Sequence, residues 1–258
     1  MRLISANVNG VRAAHRRGGL AWIAEQQPDV VALQEVRATD AQLRAVLDDV
    51  GMGDWSVAHT EAADAGRAGV AILAPVPLTD VRVGLPGFEQ AGRWVQARVG
   101  DVTVASTYVH TGEAGSPREE EKLAFLDRIG ERMSELVAEK AVLTGDLNIC
   151  HTALDLRNVK GNVGKSGYLP QEQAHLDRWA AAGWRDVVRA DAGAVDGPYT
   201  WWSWRGKAFD NDTGWRIDYQ WASPALAALA TGARVGRAAS YAERWSDHAA
   251  VVVDYGAG

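Results

Sequence analysis

Short apolar or alternating segments, rich in valine, isoleucine and leucine, recur along the whole chain. Their length and composition are typical of β-strands. They are Leu3–Val8, Val30–Leu33, Gly69–Leu73, Val95–Val99, Val102–Val109, Ala141–Leu143, Ile217–Trp221 and Ala249–Val253. Because helical patterns are fewer, the sequence predicts an α/β protein in which two sheets pack face to face with helices on the outside.

Three amphipathic segments carry the start and stop signals of helices. Ser116-Pro117-Arg118-Glu119 has the spacing of a capping box with proline at the first helical position, which predicts a helix to about Lys140. Helices are also predicted over Thr39–Val50 and Pro170–Ala182, each of which is followed by a glycine. In the helix predicted to reach about Lys140, apolar residues recur every three or four positions and predict one buried stripe: Leu123, Leu126, Ile129, Met133, Leu136 and Val137.

The composition is that of an ordinary globular protein, with 258 residues, 47% hydrophobic and 23% charged. No repeat or linker divides the chain, so we expect one domain over residues 1–258. The chain has no apolar run long enough for a membrane span and no leader pattern, so we expect a cytoplasmic protein. The single cysteine, Cys150, has no partner for an internal disulfide, so we expect it to be a buried residue that fills apolar space.

Acids and amides follow several of the predicted strands, where ordinary turn residues would be expected. Taken singly, such residues are more often turn formers or helix caps. If the strand ends meet, however, they form a pocket of carboxylates, amides and one imidazole. The segments are Asn7-Val8-Asn9-Gly10, Gln34-Glu35, Gly145-Asp146-Leu147-Asn148, Asp218-Tyr219 and Ser246-Asp247-His248.

Such a pocket suits a hard divalent cation and a phosphate group. Phosphodiester hydrolysis requires neutralised phosphate oxygens, an activated water and a stabilised leaving oxygen. Oxygen ligands favour magnesium over zinc, and the chain has neither a cysteine cluster nor a zinc-protease motif. The formal net charge of −6 argues mildly against nucleic-acid binding by overall attraction, but an enzyme that holds a cation gathers carboxylates.

Taken in order, these segments resemble those of exonuclease III and the related apurinic/apyrimidinic endonucleases over nearly the whole chain. The resemblance implies a four-layer α/β sandwich like that of deoxyribonuclease I, with two mixed, mostly antiparallel sheets flanked by helices. The resembling segments are Ser5–Ala13, Pro28–Glu35, Gly69-Val70-Ala71, Tyr108, Gly145–Asn148, Leu169-Pro170-Gln171-Glu172, Trp215–Tyr219 and Ser246-Asp247-His248.

The resemblance also implies roles for individual residues. Glu35 is similar to the principal ligand of a magnesium ion, for which manganese is the alternative, and one or two ions are compatible with the pattern. Asp146 resembles the residue that activates water or protonates the leaving group, and Asn148 the one that orients the nucleophile. His248, paired with Asp218, resembles a phosphate contact that acts as donor or as general base, and Tyr108 resembles another phosphate contact. The expected surroundings of the metal are Asn7, Glu35, Asp146, Asn148, Asp247 and His248.

DNA-binding residues follow from the same resemblance. Trp201 and Trp215 resemble the aromatic walls of a pocket that receives an extruded abasic sugar, although periodicity alone favours a core or edge strand. We expect backbone contacts from Arg12, Lys160, Lys165 and Arg205. The chain departs from the family at Val109-His110-Thr111-Gly112, where Pro and then Asn or Gln are more frequent, and we expect no catalytic role for His110.

The resulting prediction is a monomeric DNA repair phosphodiesterase that needs no protein partner. It would incise double-stranded DNA 5′ to abasic sites, remove 3′ blocking groups and degrade 3′ ends. The alternatives are another phosphoesterase of the same superfamily, such as an inositol-lipid phosphatase, a sphingomyelinase or an RNA nuclease, and a non-catalytic RNA-binding regulator on the same fold.

Overall fold

The fold consists of two six-stranded sheets, and it was analysed in a computed structural model that describes residues 1–63 and 66–256. The strands in chain order are β1 (Arg2–Asn7), β2 (Val30–Gln34), β3 (Ser56–Thr60), β4 (Val70–Ala74), β5 (Leu78–Val83), β6 (Trp94–Val99), β7 (Val102–Tyr108), β8 (Ala141–Asp146), β9 (Arg185–Asp186), β10 (Asp218–Ala222), β11 (Ala230–Gly236) and β12 (Ala250–Tyr255). The order in the first sheet is β11-β12-β1-β2-β4-β3 and in the second β5-β6-β7-β8-β10-β9.

Each sheet is mixed in the same way. The first sheet has one parallel pair, β1 with β2, and the second has one parallel pair, β7 with β8. The neighbouring strands in both sheets run antiparallel. The predicted mixed and mostly antiparallel sheets are therefore confirmed.

The described residues form seven helices, of which the first five cover the outer faces of the two sheets and the last two pack against the buried cluster between the sheets. They are α1 (Val11–Arg16), α2 (Gly19–Glu25), α3 (Asp40–Asp49), α4 (Pro117–Leu136), α5 (Pro170–Ala181), α6 (Val187–Ala192) and α7 (Pro224–Ala227), with 3-10 turns at Ala153–Asp155 and Tyr241–Glu243. One buried cluster joins α1–α3 to the first sheet, a second joins α4 and α5 to the other sheet, and a third lies between the sheets. These layers form the four-layer α/β sandwich that the sequence predicted.

All eight predicted strands are present, and their bounds differ from the prediction by at most three residues. The pattern missed β3, β5, β9 and β11, and each of these strands lies at the edge of its sheet. Central strands lie between a sheet and a helical layer, so both faces are apolar. An edge strand such as Leu78–Val83 is largely exposed and has no continuous apolar run.

The three predicted helices are confirmed with small changes in their ends. The helix that was expected to reach about Lys140 ends at Leu136. Within its predicted stripe, Leu123 and Val137 are only partly buried, whereas Phe125, which the stripe omitted, is fully buried. Cys150 is fully buried, as predicted. Among the described residues, no helix combines the length and the apolar character required to cross a membrane.

Two buried glutamines make polar contacts across the interface between the sheets and fix their relative position below the site. Gln34 Nε2 on β2 donates to Ser106 Oγ on β7 at 3.0 Å. Gln220 Nε2 on β10 donates to the carbonyl oxygens of Leu3 at 3.2 Å and Val251 at 3.1 Å. Buried amides with satisfied hydrogen bonds allow few alternative arrangements, so these contacts hold the two sheets in one alignment.

Candidate active site

Residues from the two sheets meet at one end of the sandwich. Asn7 ends β1, Glu35 directly follows β2, and Asp146 ends β8. Asn7 Nδ2 donates to Glu35 Oε1 at 2.8 Å and to Asp146 Oδ2 at 2.9 Å. A single buried amide therefore joins carboxylates that lie more than a hundred residues apart in the sequence.

The turns after β1 and β8 have the same local construction. Asn9 N–H donates to Asn7 Oδ1 at 3.0 Å, and Asn148 N–H donates to Asp146 Oδ1 at 2.9 Å. Both Asn9 and Asn148 have positive φ angles, of 45° and 50°. Asparagine tolerates this left-handed conformation better than most residues, which explains the Asn-x-Asn and Asp-x-Asn spacing.

A glycine is required just before the second turn. Gly145 has a φ angle of 139°, and a β-carbon there would lie 1.9 Å from the carbonyl oxygen of Thr107. Only glycine allows β7 and β8 to approach this closely beside Asp146.

His248 and Asp218 form the buried pair that the sequence predicted. His248 Nδ1 lies 2.9 Å from Asp218 Oδ2, and Thr200 Oγ1 donates to the same oxygen at 2.6 Å. The other ring nitrogen, Nε2, faces Asp146 Oδ2 at 3.8 Å. The ring is thus held by Asp218 and directed towards the carboxylate cluster.

The buried charges of these groups shift the pKa of His248 and that of Asp146. Burial lowers the pKa of His248, but the carboxylates of Asp218 and Asp146 outweigh it, and the net pKa is raised. Burial raises the pKa of Asp146, with further increases from Asp218 and Glu35 and an opposing effect from His248. A raised pKa favours the charged imidazolium, which donates hydrogen bonds from both nitrogens.

A group of three side chains has the geometry to hold a metal ion. One ligand atom each from Glu35, Asp146 and His248 lies within 4.8 Å of the others. Asn7 lies beside the two acids and donates a hydrogen bond to each of them. Two carboxylates at one point fit a hard divalent cation.

Asp247 lies next to this group, with both of its oxygens in hydrogen bonds. Asn9 Nδ2 donates to Oδ1 at 2.8 Å, and the indole Nε1 of Trp201 donates to Oδ2 at 3.1 Å. The neighbouring Ser246 Oγ donates to the carbonyl oxygen of Asn7 at 2.8 Å, so the tripeptide is tied to the end of β1. Asp247 is therefore held beside the group formed by Glu35, Asp146 and His248 by hydrogen bonds of its own and of its neighbour Ser246.

Tyr108 is opposite Asp146 in the register of β7 and β8. Its pKa is raised by burial and, less strongly, by the negative charges of Glu35 and Asp146. The phenol therefore stays neutral and keeps its proton as a hydrogen-bond donor.

The two predicted pocket tryptophans lie side by side. Trp201 and Trp215 pair across an isolated bridge, with ring centroids 6.1 Å apart and planes at 87°. Trp201 also bridges His248 in the backbone, which brings the aromatic pair next to the carboxylate cluster. Periodicity alone favoured a core or edge strand, but neither residue lies in one of the twelve strands, and both are partly exposed.

Of the four cations predicted to contact DNA, all have exposed side chains. Arg12 lines a cavity together with Arg37. Lys160 and Lys165 lie between the 3-10 turn at Ala153–Asp155 and α5, and Arg205 directly follows Trp204.

Sequence reasoning missed a cationic cavity that opens beside Glu35 and Tyr108. It has a volume of about 470 Å³, and its lining residues are Glu35, Arg37, Gly66, Arg67, Ala68, Arg93, Tyr108, His110 and Arg118. Arg37 pairs with Glu35. His110 accepts from Arg93 Nη1 at 2.8 Å through Nδ1 and donates to the carbonyl oxygen of Arg118 at 3.1 Å through Nε2. The sequence signal for this cavity was the departure from the family at Val109-His110. A histidine ring can accept a hydrogen bond from an arginine, whereas the proline that is more frequent in the family cannot.

This fold and site define a phosphoesterase in which a group of acids has the geometry to hold a metal ion. The model of the Endonuclease/Exonuclease/phosphatase family matches residues 4–248, and the chain belongs to that family. This match and the nuclease relatives described next confirm the predicted resemblance and the predicted enzyme class, a hydrolase of phosphodiester bonds.

Relatives of this chain carry more specific names. A Bacillus subtilis protein named exodeoxyribonuclease is 33% identical over 223 residues, which are 85% of this chain and 86% of that protein. The DNA repair nuclease APEX1 of Danio rerio is 31% identical over 231 residues, which are 88% of this chain and 74% of that protein. Among solved structures, a Neisseria 3′ phosphatase, NExo, bound to a product DNA hairpin, is 28% identical with a TM-score of 0.89, and the match covers 99% of each chain.

Proposed function

We propose that this protein is a magnesium-dependent DNA repair phosphodiesterase that incises DNA 5′ to abasic sites and removes 3′ blocking groups. The observation that carries the proposal is the joining of Glu35 and Asp146 by Asn7, next to the Asp218–His248 pair. The names of its relatives, which are exodeoxyribonucleases and DNA repair nucleases, support DNA as the substrate. The prediction of 3′–5′ exonuclease activity is retained as part of this proposal.

Glu35 and Asp146 would hold the metal, with Asn7 beside them. A divalent cation there would neutralise charge on the phosphate oxygens during attack. Asp247, whose oxygens are both engaged by Asn9 and Trp201, would contribute to the metal's surroundings through water.

The remaining site residues would act on the phosphate and the nucleophile. Because Asp218 holds Nδ1 of His248 and Nε2 is directed towards the carboxylate group, we assign His248 as a hydrogen-bond donor to a phosphate oxygen. Tyr108 would donate to the same phosphate. Asp146 would exchange a proton with the attacking water or the leaving oxygen, and Asn148 would orient the nucleophile from a side chain bound to Asp146 and to the carbonyl of Val109.

The cationic cavity beside Tyr108 supports a polyanionic substrate. Arg37, Arg93 and Arg118 converge on it although the chain carries a net charge of −6. Clustered arginines next to a cleavage site fit the backbone of a nucleic acid, because its phosphates need local and not overall positive charge. Arg12, Lys160, Lys165 and Arg205 would extend this contact, and Trp201 and Trp215 would enclose the abasic sugar.

The direct test compares substrates in parallel. Magnesium-dependent cleavage would be measured on a duplex with one tetrahydrofuran site, a duplex with a 3′-phosphate, an RNA and a panel of phosphoinositides, with Asp146→Asn as the inactive control. We expect incision 5′ to the tetrahydrofuran and release of the 3′-phosphate. Hydrolysis of the lipids or RNA alone would refute the proposal, and binding without hydrolysis would favour the non-catalytic regulator.

Four further expectations stay predictions: magnesium as the natural ion, a monomeric state, one domain over the chain and a cytoplasmic location. A titration with magnesium, manganese and calcium would test the first, because calcium binds oxygen ligands with a looser geometry. Light scattering would test the second.

A further inference from the structure

A buried ion pair lies between the two helices that cover the second sheet, close to the catalytic turn. Lys122 Nζ on α4 lies 2.6 Å from Glu172 Oε1 on α5, and neither side chain is exposed to solvent. Removing both charges from water costs free energy that their mutual attraction regains only in part. Stability alone therefore gives a weak reason for a charged pair at a place that an apolar pair would fill.

The lysine reaches the catalytic turn directly. Lys122 Nζ donates to the backbone carbonyl oxygen of Asn148 at 2.9 Å. Asn148 has a φ angle of 50°, and its side-chain Nδ2 donates to Val109 O and Asp146 Oδ2. The ammonium group of Lys122 therefore sets the orientation of the peptide group that follows Asn148. The side chain of Asn148 contacts Asp146.

The glutamate holds a second segment. Glu172 Oε1 accepts from Ser166 Oγ at 3.1 Å, and Oε2 accepts from the backbone N–H groups of Gly167 at 2.7 Å and Leu169 at 3.1 Å. The carboxylate of Glu172 thus accepts hydrogen bonds from four groups, all of them buried or partly buried: Lys122, Ser166, Gly167 and Leu169.

Gly167 connects this segment to the site. Its carbonyl oxygen accepts from Cys150 N–H at 2.7 Å, two residues after Asn148. A β-carbon on Gly167 would lie 2.8 Å from the ring of Trp215 and 3.2 Å from the carbonyl oxygen of Asn148. The turn that Glu172 holds is packed against both the aromatic pocket and the catalytic turn.

We propose that the Lys122–Glu172 pair is a positioning pair for the active site: Lys122 sets the orientation of Asn148, and Glu172 sets the position of Trp215 through Gly167. The proposal rests on the proposed function of Asn148 and Trp215. It predicts that the two ends have separable effects, with the lysine acting on turnover and the glutamate on the binding of the abasic duplex.

The test separates positioning from stability. In Lys122→Met the glutamate loses its cation and Asn148 its donor, and we expect kcat to fall by about ten- to a hundredfold and the melting temperature by about 10 °C. In the double variant Lys122→Met/Glu172→Gln no charge remains unpaired, the amide oxygen still accepts from Gly167 and Leu169, and the amide nitrogen can donate to Ser166. We expect this variant to regain most of its melting temperature and a KM close to that of the original protein, while kcat stays low.

Recovery of kcat together with the melting temperature would overturn the proposal, because the pair would then be purely structural. Arg128→Met is the matched control, since Arg128 lies on the same helix in an exposed pair with Glu131. It should leave kcat, KM and the melting temperature unchanged.

A second readout does not depend on activity. The resonances of the Asn148 side-chain amide would be compared in the original protein and in both variants, at a temperature at which all are folded. We expect a shift in both variants. An unchanged resonance would overturn the proposal even if the double variant stays unstable, and absence of DNA cleavage by the original protein would refute the proposed function but leave this comparison valid.

Discussion

The two halves of the candidate site differ in how their charges are compensated. One half, here called the buried half, consists of Asp146 and Asp218 from the second sheet and His248, which precedes β12 of the first sheet. None of these side chains is more than slightly exposed. The other half, here called the open half, consists of Arg37, Arg93 and Arg118, which line the cationic cavity beside Glu35. Arg37 is 39% exposed, whereas the His248 side chain is 5% exposed.

From this difference we infer that turnover should depend on the fixed geometry of the buried half, and that binding should depend on the electrostatic attraction of the open half. In the buried half, the charged groups face one another at fixed distances, so removing one of them changes a pKa and a transition-state contact. In the open half, several guanidinium groups face solvent, so their attraction for a polyanion is screened by salt. The following predictions test that contrast, from the largest expected effect to the smallest.

Substitution of Asp146 should give the largest effect. Asp146→Asn keeps the size of the side chain but removes the charge and the proton-transfer group, and we expect kcat on a tetrahydrofuran duplex to fall by about a thousandfold. Asp177→Asn is the control, because Asp177 is an exposed acid that pairs with His151. Nuclease activity that survives Asp146→Asn would contradict the assignment of the buried half as the catalytic one.

Removing the partner of His248 should change the pH profile. Asp218 raises the pKa of His248, so the original protein keeps the ring protonated at neutral pH. In Asp218→Asn this pKa should fall towards the ordinary value of about 6.5, and activity should then decline as the pH rises through that value. The measurement is kcat/KM between pH 5.5 and 9, with loss of activity towards acid pH contradicting the donor role.

Substitution in the open half should act on binding and not on turnover. We expect Arg93→Gln to raise KM for DNA about tenfold at low salt, with kcat little changed, and to reduce the slope of log K against log salt by about one. Arg98→Gln provides the control, because Arg98 pairs with Glu139 outside the cavity. An unchanged salt slope would mean that Arg93 does not contact a phosphate.

The smallest effect concerns acid stability. Burial and the charge of Arg93 lower the pKa of His110 to about 4, and burial and Arg178 lower that of His175 to about 4. Because the unfolded chain binds these protons at higher pH, stability should be complete above about pH 6.5 and be lost as the pH falls towards 4, by at most about 1.4 kcal/mol per pH unit for each histidine.

His110→Gln and His175→Gln should therefore each flatten the dependence of the free energy of unfolding on pH over this range, as measured by urea denaturation. Only His110→Gln should also raise KM, because His110 orients Arg93 and His175 lies away from the site. An equal change in KM for both variants would remove the link between His110 and the open half.

The hydrophobic pattern alone predicted the central strands and three main helices. Central strands are buried on both faces, so their apolar runs are visible without knowledge of their neighbours. The edge strands β3, β5, β9 and β11 were not predicted, because their pairing on one side only leaves exposed residues and no simple alternation.

Local chemistry at the strand ends predicted most of the site. The Asn7-x-Asn9 and Asp146-x-Asn148 spacings are turn signals that depend only on neighbouring residues, and the resemblance to a known family supplied their expected roles. The sequence marked His110 only as a departure from the family and did not indicate Arg93 or the pairing of Lys122 with Glu172, because a surface arginine and a helical lysine or glutamate are usually solvated charges.

By itself, therefore, the sequence determined the central strands, the turns that follow them and the residue types gathered there, since each depends on contacts within a few residues. The tertiary structure decided which of those charges became partners. Burial of Asp146 against Asp218, of His248 against both, and of Lys122 against Glu172 and Asn148 follows from how the sheets and helices pack. A pKa and a hydrogen bond depend on distance and solvent exposure, and both arise only when segments far apart in the chain come together.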